Sequence, residues 1–323
     1  MKNNINYVIF GASGDLSKRY LLPAVEKLGL PVVKISRNDY ATFNQKINQN
    51  SELIFHLAIP SDAVSETIKL ISNYKNAKIL LEKPFGRDLE SAKNLVEVTE
   101  KYFNENQIYR VDHYLAKKSL QNLKIENPEK ISSVEIIASE KIDIEGRVNF
   151  YEQTGALRDF VQNHMLEMAA VALGSFDPEA RGRVLKNLAV VCDISKHECV
   201  KRGQYAGYRE EVGNRESMTE TFVAINLVYK NIPVVLKTGK ALKEKRTEVK
   251  IHLRNGSLQI FNIEHEPDAY ERVIEAAIAG NKDIFISKDE VLESWRILND
   301  IQESWKDSTE IIIYPKGSEI DEI

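Results

Sequence analysis

The chain has 323 residues, 43% of them hydrophobic and 28% charged, with a formal net charge of -4. That balance is too apolar for a disordered chain and lacks the basic excess of a nucleic-acid-binding protein. The length suits one large domain or two ordinary ones.

The opening MKNNINYVIFGASGD reads as the first strand of a fold, not as a signal peptide, and no segment approaches the roughly 18 apolar residues of a membrane span. Tyr7 to Phe10 is apolar, Gly11-Ala12-Ser13-Gly14-Asp15-Leu16 follows at once, and a helical pattern runs through Leu21, Leu22, Val25 and Leu28. Strand, glycine turn and helix in that order let backbone amides and a helix N-terminus meet a pyrophosphate, although the full G-x-G-x-x-G spacing is absent. Gly11, Ser13, Gly14, Asp15 and Leu16 are therefore candidate cofactor contacts. The next strand, Pro31 to Ser36, ends at Arg37, where an Arg accommodates a ribose 2′-phosphate; this favours NADP. Asp39, two residues on, leaves a ribose hydroxyl and NAD open as the alternative.

Leu53 to Ile59 reads as a buried strand, Ala63 to Ser72 as a helix and Lys78 to Leu81 as another strand, ending in Glu82-Lys83-Pro84. Ligands of open parallel sheets bind beyond the carboxyl ends of the strands, so Lys83 and Pro84 are candidates for the nicotinamide edge, with Pro84 a candidate cis proline. Asp88 is a plausible cap for a helix to Tyr102, whose apolar stripe is Leu89, Ala92, Leu95 and Val96. Ile108 to Val111 then delivers Asp112-His113-Tyr114 to the same edge.

From Ser132 the pattern changes. Strands are expected at Ser133 to Glu140, Ala189 to Asp193, Thr219 to Tyr229, Val234 to Thr238, Glu248 to Leu253 and Leu258 to Ile263. A long helix is expected from about Ala156 to Leu173, and two more at Pro267 to Ala279 and Lys288 to Trp305. The expected architecture is an α/β Rossmann-like dinucleotide-binding domain, residues 1–115, followed by an α+β domain with a mostly antiparallel sheet, residues 116–323. Cys192 and Cys199 with His197 fall short of a closed zinc site and read as reduced thiols; the absence of a disulfide framework suits a cytoplasmic protein. An imidazole paired with a carboxylate is the usual base for a sugar hydroxyl. Gln162-Asn163-His164 and Asp112-His113, beside a dinucleotide turn, point to hydride transfer from a phosphorylated sugar.

The segments GASGDLSKR, LEKPFGRDL, YRVDHYLAKKSLQNL, EGRVNFYEQTGALRDFVQNH, RGQYAGY, TETFVA, VVLKTGKALKEKRTEV and PDAYERVI, with SWRI behind it, span most of the chain. In their order and content the chain resembles the glucose-6-phosphate dehydrogenase family. The resemblance implies oxidation of C1 of glucose 6-phosphate to the 6-phosphoglucono-lactone. His164 would be the base and Asp112 the carboxylate that stabilises it when charged. His113, Tyr114 and Lys117 would hold the 6-phosphate, and Glu140 and Asp159 would accept from sugar hydroxyls. Lys83 would reach sugar and nicotinamide, and Lys240 the sugar, with Lys245 or Arg246 adding positive potential. A homodimer formed through the large sheet is also implied.

The departures from the family pattern are specific. Tyr20 stands where the family carries a third cation after Lys18-Arg19. The stretch between Arg37 and Leu53 is brief, and Ile263 leads almost directly into Glu266-Pro267, leaving no counterpart of a sugar-binding glutamine. Three readings result: a glucose 6-phosphate dehydrogenase, the same chemistry on another phosphorylated sugar, or a silent regulator that binds nucleotide or phosphosugar. Retention of both Asp112 and His164 favours the first two.

Overall fold

A computed structural model describes residues 5–48, 50–125, 128–190, 200–306 and 308–323. The chain forms two units, one of residues 1–117 and 265–292, the other of 118–264 and 293–323. Cys192, His197 and Cys199 lie outside the described residues. No described helix is long and apolar enough to cross a membrane.

In the first unit β1 (Ile5–Phe10), β2 (Val32–Ile35), β3 (Glu52–Leu57), β4 (Lys78–Leu81) and β5 (Ile108–Val111) pair in parallel. A short β13 (Phe285–Ile286) adds antiparallel to β5, giving the order β13-β5-β4-β3-β1-β2. All six residues of β1 are buried, as in a sheet covered on both faces. The Leu89–Tyr102 helix starts where the capping residue predicts, with the Ser91 amide donating to Asp88 Oδ1 at 2.7 Å. Between β2 and β3 the described residues make two short helical turns, Arg37–Asp39 and Phe43–Lys46. A single division after residue 115 was expected, whereas residues 265–292 group with the first unit. The physical reason is pairing: β13 extends this sheet, and the helix Ala269–Ala279 packs on the helix Leu22–Lys27.

In the second unit β6 (Ile131–Ser139), β7 (Leu188–Val190), β8 (Val200–Tyr205), β9 (Phe222–Tyr229), β10 (Ile232–Gly239), β11 (Arg246–Leu253), β12 (Leu258–Asn262) and β14 (Ile312–Tyr314) form a sheet. Its order is β12-β11-β6-β10-β9-β8-β14, with β7 beside β9. Only β10 with β6 and β14 with β8 are parallel, so the mostly antiparallel sheet is present. Elements beyond the sequence reading include the helices Pro178–Lys186 and Tyr208–Val212 and the strands β8, β13 and β14.

The long helix runs over Leu157–Leu173, as expected, and a further helical stretch precedes it. Helical structure starts at Val148, and the chain breaks direction at Gly155, with φ 66° and ψ 171°. That conformation is essentially confined to glycine. A Cβ at Gly155 would lie 2.3 Å from Glu220 Oε1. The same oxygen accepts the Leu157 amide at 2.9 Å, and the Glu220 carbonyl accepts the Ala156 amide at 2.9 Å. A buried carboxylate thus heads the helix Leu157–Leu173, where an exposed amide end favours negative charge.

Gly155→Ala should lower stability by about 2–4 kcal/mol, read from the midpoint of urea unfolding, since both the backbone region and the Glu220 contact are lost. Burial raises the Glu220 pKa against the lowering effect of the Leu157 amide. A carboxyl raised in the folded state contributes most below its unfolded pKa of about 4.3 and loses that contribution as pH rises through the folded value. Glu220→Gln keeps an acceptor for Leu157 and does not titrate. The stability of the wild type relative to this variant should therefore fall as pH rises from about 4.3, and a flat difference would remove Glu220 as the titrating group.

Candidate functional site

The carboxyl ends of the parallel strands carry the candidates of the first unit. Gly11, directly after β1, has φ +80°, and a Cβ there would lie 2.1 Å from the Ala58 carbonyl oxygen, so only glycine fits. The Gly11 carbonyl accepts from the Gly14 amide and the Ser17 hydroxyl, each at 2.9 Å, which closes the turn. Ser13, Gly14 and Asp15 are left exposed and Leu16 half-buried, just ahead of the helical run Ser17–Lys27. This is a turn that a pyrophosphate can approach along the backbone. Asp15 is paired with Arg19 at 2.8 Å.

Arg37 is exposed immediately after β2. Asp39 is not free to receive a ribose: its Oδ2 accepts from the Ser36 amide at 2.8 Å and the Ser36 hydroxyl at 2.5 Å, and its Oδ1 from Lys46 at 2.5 Å. Lys46 and Ser36 hold its carboxyl well below the usual range. After β4, Lys83 and Pro84 are half-buried and joined by a cis peptide, the isomer the sequence reading raised. Glu82 beside them is anchored on both oxygens, by His56 Nε2 at 2.7 Å and by the Tyr270 hydroxyl at 3.2 Å. His56 Nδ1 lies 2.6 Å from the Tyr7 hydroxyl.

After β5 the chain turns tightly. Asp112 is buried, with Oδ1 accepting the Tyr114 amide at 2.8 Å. The turn gathers three of the predicted phosphate ligands. The His113 and Tyr114 rings are 5.1 Å apart, and the buried Lys117 ammonium lies 3.4 Å from the Tyr114 ring centroid. A cation over an aromatic face is attracted by the ring's electron-rich face, which stabilises the ammonium where it lies.

In the second unit Asp159 and His164 share the first turns of the helix that Glu220 heads. In an α-helix, residues five apart sit roughly 140° apart around the axis. Residues 157–165 instead wind in wide i→i+5 turns, which bring such residues toward one face; local widening of this kind recurs at functional sites. Gln162, Asn163 and His164 are all buried. Asn163 Oδ1 accepts the His164 amide at 2.6 Å, Gln162 Nε2 donates to Ser294 Oγ at 2.9 Å, and the Phe160 ring meets His164 edge-on at 5.1 Å. The Phe160 contact meets the imidazole itself, whereas the other two hold the His164 backbone and the neighbouring Gln162.

Glu140 and Lys240 follow β6 and β10, and the Ser139–Gly239 register sets them side by side as a hydrogen-bonded ion pair. The Lys240 side chain is nearly buried and also faces the Tyr151 ring at 5.3 Å. Burial first, and then the negative charges of Asp159, Glu220 and Glu140, push the Tyr151 phenol far up. Tyr151 therefore stays neutral among the carboxylates expected to meet sugar hydroxyls. Arg246 is engaged by Glu244, Glu248 and Asp321, and Lys245 is exposed. Tyr208 is buried in the core and donates to Glu152 at 2.7 Å, an architectural role.

Sequence reasoning passed over Tyr151, Glu220 and Tyr270. All three lie inside or beside motif segments, but a buried tyrosine or glutamate carries no local mark of what it touches.

A family model for "Glucose-6-phosphate dehydrogenase, C-terminal domain" matches residues 122–267 and 261–322, more than half of the chain. A second, for the NAD binding domain of glucose-6-phosphate dehydrogenase, matches residues 32–122. The chain is 36% identical to a glucose-6-phosphate 1-dehydrogenase of Helicobacter pylori over 66% of its own length, which spans 56% of that relative. It is 27% identical to the enzyme of that name from Gluconobacter oxydans, covering 97% of this chain and 94% of the relative. That alignment runs over 458 residues against the 323 present here, so the relative carries internal segments that this chain lacks. The crystal structure of glucose-6-phosphate 1-dehydrogenase from Mycobacterium avium superposes with a TM-score of 0.81 at 24% identity, over 98% of this chain and 94% of that one, which establishes a shared fold. The Rossmann-like unit, the mixed sheet and both family models agree: the chain belongs to the glucose-6-phosphate dehydrogenase family.

Proposed function

We propose that the chain oxidises C1 of glucose 6-phosphate to the 6-phosphoglucono-lactone with NADP as hydride acceptor. The observation that carries this reading is the turn after β5, where His113, Tyr114 and Lys117 are gathered around a buried Asp112 in a chain of this family. Cationic donors of this kind suit a phosphate dianion, and the carboxylates Glu140 and Asp159 suit hydroxyl donors. Lys240, paired with Glu140, reaches the same sugar, as does Lys83.

His164 takes the proton from the C1 hydroxyl, and Asp112 stabilises the resulting imidazolium. As that proton leaves, the C1–O bond gains double-bond character and expulsion of hydride from C1 becomes easier. The nicotinamide cofactor supplies the acceptor for that hydride. Gly11, whose Cβ position the Ala58 carbonyl fills, and the exposed Ser13, Gly14, Asp15 and Leu16 turn fit a dinucleotide pyrophosphate. Lys83 and Pro84 border the nicotinamide. The choice of NADP over NAD is supported by an exposed Arg37 and by an Asp39 already engaged by Ser36 and Lys46.

A second reading, the same chemistry on another phosphorylated sugar, is favoured by Tyr20. Its ring is 37% exposed and stacks on Tyr270, where the family pattern has a cation. A homodimer is supported by the edge strand β12, whose Leu258 and Ile260 share one face and are 47% and 51% exposed.

Reduction of NADP and NAD by the purified protein across a panel of sugar phosphates tests the function. Selective turnover of glucose 6-phosphate with NADP is expected; preference for another sugar phosphate would establish the second reading, and no turnover would end both. His164→Asn should lower kcat by roughly 100- to 10,000-fold with sugar binding intact, and normal turnover would remove His164 as the base. Arg37→Ala should raise KM for NADP roughly 10- to 100-fold while leaving NAD nearly unchanged; equal loss for both would exclude a 2′-phosphate contact.

A further inference from the structure

We infer that Tyr270 is a positioning residue for His113, and that Tyr20 completes the device as the outer ring of a three-ring stack. The inference rests on the reading of His113 as a phosphate ligand. Tyr20 and Tyr270 lie 5.7 Å apart between centroids at 29°, and Tyr270 and His113 lie 6.1 Å apart at 21°. Both separations fall in the range of favourable offset stacking. The middle ring is held at its tip, because the Tyr270 hydroxyl donates to Glu82 Oε2 at 3.2 Å. Glu82 is held in turn by His56, and His56 by Tyr7 on β1, so the anchor runs back into the buried parallel sheet.

Four separate pieces of chain meet at Tyr270: the first helical run through Tyr20, the loop after β4 through Glu82, the turn after β5 through His113, and its own helix. Burial, then the negative charges of Glu82 and Asp112, push its phenol far up, so the hydroxyl remains a donor throughout the working pH range. The consequence for His113 is orientational. A ring stacked nearly parallel to a pinned neighbour keeps one plane, and an imidazole already in position loses less freedom when it meets an anion. The stack should therefore act on phosphate recognition and leave the chemistry at C1 largely alone.

The test compares Tyr20→Leu, Tyr270→Phe and Tyr270→Leu in the full chain, with glucose 6-phosphate and with unphosphorylated glucose. Tyr20→Leu and Tyr270→Leu should raise KM for glucose 6-phosphate roughly 3- to 10-fold, with kcat within about twofold and with KM for glucose unchanged. Tyr270→Phe, which keeps the ring and loses the anchor, should fall between these and the wild type. Tyr20 is partly exposed, so its variant guards against loss of the fold. Equal changes for both sugars, or none for either, would overturn the inference. If the wild type oxidises neither sugar, the proposed function fails, and the stack is read separately by titrating inorganic phosphate against the His113 ring resonances, assigned by their loss in His113→Asn. A 3- to 10-fold weaker phosphate response in Tyr20→Leu supports the inference, and an unchanged response rejects it.

Discussion

The contact between the Glu220 carboxylate and the first amide of the helix Leu157–Leu173 is the constraint on which the placement of the second unit's candidate residues depends. It fills the space where any side chain at position 155 would go, and so it requires the glycine that breaks the helical run. It also sets the starting direction of the turns that carry Asp159, Gln162, Asn163 and His164. Burying a carboxylate is costly unless it is hydrogen-bonded, and here the amide end of a helix offsets part of that cost. The raised Glu220 pKa records the part that remains.

The first unit solves the same problem with a different device. Its candidate residues sit on loops beyond strand ends, which is where open parallel sheets present their ligands, but loops alone hold side chains loosely. The loop after β4 is tied down by Glu82, whose two oxygens are taken by His56 and Tyr270. The turn after β5 is closed by Asp112 on its own backbone and braced by the Tyr270 ring. In both units a carboxylate fixes backbone or ring beside the candidate residues.

The comparisons show that the fold is kept while internal segments of a longer relative are absent. The Gluconobacter enzyme aligns across nearly the whole of this chain yet carries additional internal segments. What remains here includes every strand end that bears a candidate residue and the complete helix headed by Glu220. Between β2 and β3 two short helical turns suffice to return the chain to the sheet. A long connection can be shortened at little thermodynamic cost where it supplies no strand to the core, because closure entropy changes slowly with loop length.

Much of this protein was legible locally. A strand followed by a glycine turn, an Asp at the head of a helix and alternating strands each depend on neighbours within a few residues, so Gly11, Asp88 and the parallel strands could be placed from the sequence. Motif segments likewise mark Asp112, His113, Lys117 and His164 as candidates without reference to packing. Tertiary structure alone decided the rest. The Glu140–Lys240 pair depends on two strands lying in register across 100 residues. The break at Gly155 depends on Glu220, and the return of helix Ala269–Ala279 to the first unit depends on β13 pairing with β5. Tyr270 became visible as a hub only when four distant segments met around it. Such contacts leave no periodicity, because a buried tyrosine or glutamate looks the same in the chain whether it packs a core or aims a histidine.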